Sequence, residues 1–415
     1  LALAGLSACD TDDPRPSSLE SANLAPVDGE SSFFEQVAVL QVGPAGPLTP
    51  ADLEAQVVTL IGGATTEIVG AFERFESEII AEALVAAQDR GVIVRLAGDE
   101  DARQQAGFVA LAEGDVAVTF GDGPQMWSPQ PGMDVRRLGS QNRMTHSVII
   151  ADGLRMIAIN GGFGDPEAED GRWQLGFSAL GETLVDDWRH GIEQLVAGTF
   201  STTLTVFGAS TSADGNNRTS YPTEDGVVEG YIGPSEPLTK HIIDEIYAAR
   251  ASVWVASATM SNNEIINALR YKAEAGFDVK VIISPEAASE AYAFEQGDTQ
   301  RVGMVPELRA AFEGLDNASL IEKVGPTGTV VITDAARSPI DRQFHGGQAF
   351  IMSQSLAPTV AFDRHEFRDG TLPGLPSDVF TDGNMLVLRE NRVREAASDF
   401  DAAVQWYKSL SEYNP

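Results

Sequence analysis

Cysteine is almost missing from this chain: its 415 residues contain one, Cys9. A single thiol excludes an intrachain disulfide framework and leaves no cysteine pair for a structural zinc. Histidine is scarce as well, at five residues, and no His/Cys spacing typical of a metal site occurs. Basic residues are few. Lys and Arg number 28 against 61 Asp and Glu, for a formal charge of −33. A field of that sign repels nucleic acid and anionic membrane surfaces, so no nucleic-acid partner is expected, and it slows any anionic substrate. Also missing are a phosphate-binding Gly-rich Lys-Ser/Thr loop, a Gly-x-Ser-x-Gly elbow and an apolar run long enough to cross a bilayer as a helix.

What is present is the composition of a folded protein, 43% hydrophobic and 21% charged, with length for two ordinary domains. The first eight residues, LALAGLSA, run apolar and then small up to Cys9. They resemble the end of a bacterial signal peptide and its lipobox, in which the Cys becomes acylated. That resemblance implies a lipoprotein of the bacterial envelope, with membrane as partner through Cys9, facing periplasm or exterior. Residues 9–32 are rich in Asp, Ser and Pro and read as a disordered tether.

From residue 33 the pattern changes. FFEQVAVLQVG reads as a strand, and Pro50-Ala51-Asp52 opens a helix with Leu53, Val57, Leu60 and Ile61 at helical spacing. Residues 67–75 read as a strand, 79–90 as a helix stopped by Gly91, and 92–96 as a strand. Strand, helix, strand at this spacing implies a parallel pair with a crossover helix. The second half repeats the pattern: helix 241–250, strand 251–259, helix 263–275 stopped by Gly276, strand 279–284. At an offset of 185 residues, Gly91 meets Gly276, Ile61 meets Ile246, Ala71 meets Ala256, Ile80 meets Ile265, Leu84 meets Leu269 and Val94 meets Val279. An internal duplication follows, with repeat 1 at 33–207 and repeat 2 at 227–415. Each ends in an amphipathic helix, one around Trp188 and one from Phe400 to Tyr407. Residues 208–226, rich in Gly, Ser and Asn, read as the linker, and Gly121–Gly139 and Ala287–Gln300 as insertions over the site.

The stretch Asn142 to Gly162 joins two β-rich runs through Asp152-Gly153, the dipeptide of a tight hairpin. It resembles the signature of the phospholipase D superfamily, His-x-Lys followed by Asp and then a strand ending in Gly and Asn. The resemblance implies an α/β fold of two tandem repeats, each a mixed, mostly parallel sheet flanked by helices, packed about a pseudo-twofold axis. It implies no metal or other cofactor. In that family one His attacks phosphorus, the other protonates the leaving oxygen, and two Lys hold the phosphoryl oxygens, which is covalent, general-acid and electrostatic catalysis together.

Against that signature, Thr145 falls on the first His, Ser147 on its Lys, and Asp152 matches the Asp. In the second half, His345 falls on the His, Gly347 on the Lys and Met352 on the Asp. On a regular strand Thr145 and Ser147 share a face and His146 points away from it; a one-residue bulge would turn His146 inward, with Arg143 or Arg342 replacing a Lys. The expected candidates are therefore His345, His146 and Asp152. The run Asp382-Gly383-Asn384 reads as a turn into the core strand Met385–Leu388. His190, His241 and His365 receive no role. The resemblance implies an envelope-tethered protein that is catalytically impaired or inactive and acts by binding a phosphate diester or lipid at its degenerate cleft. The alternative is an active phosphodiesterase or transferase with His345 as nucleophile.

Overall fold

The computed structural model describes residues 35–43, 48–121, 143–164, 174–200, 220–223, 226–232, 238–257, 263–283, 305–322, 329–334, 349–353, 381–382 and 384–389. The signal-peptide segment, Cys9 and the tether lie outside the described residues. So do most of both insertions and the helix expected at Phe400–Tyr407.

Local chemistry sets the first elements. β1 (Gln36–Val42) leads to α1 (Pro50–Gly62), where the Thr49 and Asp52 side chains each bond the other's backbone amide and Pro50 occupies the first turn. β2 (Glu67–Phe72) follows, then α2 (Glu78–Asp89), capped by the Ser77 hydroxyl and stopped at Gly91, whose φ of +90° only Gly adopts freely. β3 (Ile93–Gly98), α3 (Ala106–Glu113) and β4 (Val118–Phe120) complete a β-α-β-α-β unit. The chain then runs through β5 (Arg143–Met144), β6 (Ser147–Ala151), β7 (Arg155–Ile159), β8 (Gln174–Leu180) and α4 (Thr183–Val196).

The second half has the same order. Its elements are β9 (Ser220–Thr223), β10 (Gly226–Ile232), α5 (Leu238–Ala248), β11 (Ser252–Ser257), α6 (Asn263–Glu274) and β12 (Asp278–Ile283). They continue with α7 (Val305–Phe312), β13 (Ala318–Glu322), β14 (Thr329–Thr333), β15 (Ala349–Ser353), β16 (Thr381–Asp382) and β17 (Asn384–Arg389). β2, α2 and β3 coincide residue for residue with β11, α6 and β12 at the offset of 185. Apart from the extra edge strand β9, the sheets match strand for strand. The first is ordered β1-β8-β7-β6-β2-β3-β4, and the second, read backwards, β9-β10-β17-β15-β14-β11-β12-β13.

Two expectations change. Parallel pairing is confined to β2-β3-β4 and β11-β12-β13; the other pairs in both sheets are antiparallel. Helical crossovers end after the third strand, and the strands that follow return as hairpins. Within the stretch read as linker, Ser220–Thr223 forms the edge strand β9, because backbone pairing with β10 needs no side-chain periodicity.

Side chains sort into three cores. α1, α2 and α3 cover the outer face of the first sheet through Leu53, Val57, Ile80 and Leu84 against Ile68, Phe72 and Ile149. α5, α6 and α7 cover the second likewise. The inner faces share one core: Val69, Ala71, Val148, Ile150 and Phe177 of the first sheet pack with α4 and with Trp254, Ala256, Ile332 and Leu386 of the second. Among the described residues no helix is long and apolar enough to cross a membrane.

Candidate functional site

The Asp152-Gly153 hairpin forms as expected. Both residues have positive φ, 56° and 66°, and the Leu154 amide donates to the Ala151 carbonyl. The Asp152 carboxylate turns toward the entry of β2. It accepts from the amides of Thr65, Thr66 and Glu67 and from both threonine hydroxyls, at 2.7–3.2 Å. Arg155 lies 3.6 Å away. Burial alone would raise its pKa, but those bonds to the ionised form win and lower it to about 2. Asp152 thus stands at the end of β6 opposite Ser147 and clips the hairpin to β2.

The same clip recurs in the second half, at a residue the sequence reading passed over. Asp334 follows β14 with φ 55° and accepts from the amides of Arg250, Ala251 and Ser252 at 2.6–3.3 Å. These three amides are the 185-residue counterparts of Thr65, Thr66 and Glu67. Strand pairing gives the same register. β2 sets Phe72 against Ser147 and Ala71 against Val148, while β11 sets Ser257 against Thr329 and Ala256 against Val330. Ser147-Val148-Ile149-Ile150-Ala151-Asp152 therefore corresponds to Thr329-Val330-Val331-Ile332-Thr333-Asp334.

This overturns the register assumed for the second motif. Met352 does not stand in the Asp position; it lies in β15, pairing with Val330 and Leu386, and corresponds to Ala158 of β7. His345 and Gly347 precede β15 and lie outside the described residues, as does Arg342. A signal for the correct register was present, since Thr-x-Ser/Thr-Val-x-Ile-x-Asp stands in both halves.

Of the two orientations open to His146, the structure shows the inward one. Val148 and Ile150 belong to the core between the sheets, whereas Ile149 and Ala151 face the outer helices. His146 shares the parity of the inner pair and turns toward the other repeat. Its Nδ1 lies 2.7 Å from Nδ2 of Asn384, at the start of β17. Asn384, at the entry to the core strand, thus reaches the motif directly. Burial pushes the His146 pKa down to about 3. The ring is then neutral near pH 7, and the Asn384 amide donates to Nδ1. Thr145, Ser147, Asn160 and Gln174 are buried in the same half and Ser257 in the other. Nearby, β5 pairs in parallel with β16, Arg143 beside Thr381 and Met144 beside Asp382, and the Met144 amide donates to Asp99. Arg95 and Arg189 lie elsewhere, held by Glu67, Glu193 and Asp186.

No protein-family model matches the sequence, and no curated protein is similar enough to count as a relative. Solved structures are similar. A phosphatidylserine synthase of Haemophilus influenzae superposes with a TM-score of 0.52 at 12% identity, over 88% of this chain and 86% of its own. The chain shares the fold of that synthase. A polyphosphate kinase of Porphyromonas gingivalis matches with a TM-score of 0.49 at 11% identity, over 88% of this chain. This chain spans 49% of that kinase. A phospholipase D family member of Salmonella typhimurium covers 39% of this chain over 93% of its own length, at 20% identity and a TM-score of 0.29.

In a phospholipase D-like frame, the two equivalent strands β6 and β14 are where the resemblance implies one His and one Lys from each repeat. Here the register puts Ser147 in one repeat opposite its counterpart Thr329 in the other, each two residues after a threonine in the sequence, Thr145 and Thr327. All four carry hydroxyls. A hydroxyl donates and accepts hydrogen bonds, but it does not carry the positive charge that clamps a phosphoryl oxygen.

Proposed function

We propose that this phospholipase D-fold protein is catalytically silent and acts by binding at the junction of its repeats, held at a bacterial envelope membrane through an acylated Cys9. The observation that carries the first part is the shared register of β6 and β14, which sets Ser147 and Thr329 where the family resemblance implies Lys, with threonine two residues earlier in both halves of the sequence. Forming a phosphohistidine needs an exposed nucleophilic imidazole and a second proton donor. His146 is 1% exposed, and its Nδ1 is engaged by Asn384. That His345 precedes, in sequence, the strand equivalent to β7 rather than the one equivalent to β6 supports the same reading. The ligand in this reading is a phosphate diester or lipid. The segment Leu6-Ser7-Ala8-Cys9 supports the anchor.

The test is turnover by the purified protein on bis-p-nitrophenyl phosphate, phosphatidylcholine and phosphatidylglycerol. No release of product above buffer is expected. Turnover that disappears in His345→Ala or His146→Ala overturns the reading. For the anchor, Cys9→Ser in the expressed full-length protein is expected to abolish labelling by radioactive palmitate and to move the protein out of the membrane fraction.

A further inference from the structure

The motif segment of the first repeat is joined to the second at two adjacent points. β5 pairs with β16, and two residues beyond Met144 and Asp382 the side chains of His146 and Asn384 meet, both 1% exposed. We propose that His146 and Asn384 form an acid-sensitive latch between the repeats, closed while the imidazole is neutral and released when it takes up a proton. The inference does not depend on what the protein binds.

The contact needs a lone pair on Nδ1, because the Asn384 amide nitrogen only donates. A proton on Nδ1 turns acceptor into donor and sets two donors against each other. Turning the amide over would present its oxygen, but it would not help the other side of the ring. Nε2 is buried with no hydrogen-bond partner among the described residues; its N–H is already there in the neutral ring, and a positive charge makes leaving that donor unsolvated far more costly. Once the repeats part, water solvates both nitrogens and the ring regains its ordinary proton affinity. The open form therefore gains on the closed one as pH falls below about 6.5, by up to about tenfold per pH unit and about 30-fold by pH 5. Other charged groups brought to this place are Glu73 and Arg74 after β2 and Asp99 after β3. Arg143 and Asp382 join them by their backbone positions in β5 and β16. The Glu73 amide donates to the His146 carbonyl. The carboxylates are the rival source of an acid response, and the test separates them from the ring.

Amide hydrogen exchange of the full chain at pH 7.5 and 5.0, corrected for intrinsic rates, reads the latch. Amides of residues 143–147 and 384–388 are expected to lose protection by an order of magnitude or more at the lower pH, while β3 and β12 keep theirs. His146→Asn puts an acceptor oxygen near the place of Nδ1 and does not titrate. It is expected to keep the neutral-pH protection and lose the acid response. Unchanged protection in the wild type, or an equal acid loss in His146→Asn, overturns the proposal. Should the variant fail to fold, NMR titration of the wild-type His146 ring decides: a midpoint near 6.5 with protection intact also overturns it.

Discussion

Asp152 and Asp334 show how much one side chain does when its backbone is in the left-handed region. At φ 56° and 55° each swings its carboxylate back over three consecutive amides at the start of a neighbouring strand. An L-residue in this region costs energy, least for Asp and Asn, which is why the position holds Asp rather than a β-branched residue. The Asp152 pKa is lowered from 3.8 to about 2, so its contribution to stability is complete above pH 3.8 and lost as pH falls toward 2. By linkage this is worth about 2 kcal/mol. Asp152→Asn tolerates the backbone and removes the charge. Urea unfolding is expected to show it about 2 kcal/mol less stable than wild type at pH 7, with the gap closing between pH 4 and 2. A gap that persists at pH 2 would assign the effect to geometry rather than charge.

At the scale of the element, α4 carries the joint between the repeats, and its first turn is finished from outside. Glu182 at its N-cap offers no side-chain bond; instead Glu35, just before β1, accepts from the amides of Thr183 and Leu184 at 3.0 and 3.2 Å. Further along, Asp187 takes the hydroxyl of Tyr221 from β9 and Trp188 packs edge-on against Phe177. Burial raises the Glu35 pKa, against the lowering by those two amides, with Asp187 adding repulsion. A raised acid pKa means that the folded state holds its proton longer, so this group favours folding less as pH rises through its titration. Glu35→Gln keeps an acceptor oxygen without the charge and is expected to match or exceed wild-type stability at pH 8. Glu35→Ala loses the cap and is expected to cost about 1 kcal/mol in thermal or urea unfolding. The sequence showed α4 by its apolar period but not its cap, because a capping side chain almost 150 residues away leaves no local mark. The reverse holds for β2, α2, β3 and their copies, where propensity, glycine stops and apolar spacing agree with the final packing and the duplication could be read directly. The second motif was misread for a related reason. His345 drew the register toward a chemically suggestive residue, while the repeated Thr-x-Ser/Thr-Val-x-Ile-x-Asp pattern, set by strand pairing, pointed to Asp334. The turn of His146 toward Asn384 depends on which parity of β6 faces the partner sheet, and that is decided by tertiary packing.

At the scale of the molecule, the two repeats share a core rather than touching as finished bodies. Val148, Ile150, Met156 and Phe177 are at most 2% exposed and cluster with α4 and with Trp254, Ala256, Ile332 and Leu386 from the other sheet. Each such side chain buried is worth about 1.5–3 kcal/mol, and a domain's total stability is only about 5–15 kcal/mol. Losing the partner sheet therefore removes an amount comparable with the whole. Expressed separately, residues 33–207 and 227–415 are each expected to bind a hydrophobic dye strongly and to show little protection of the inner strands. Mixing them is expected to quench the dye and restore protection at β6 and β14, the strands whose inner residues meet in that core. Halves that unfold cooperatively on their own, with the stability of the full chain, would show that the shared core came second to two self-sufficient ones. The duplication would then have joined folded units, whereas the packing seen here is that of one unit whose halves complete each other.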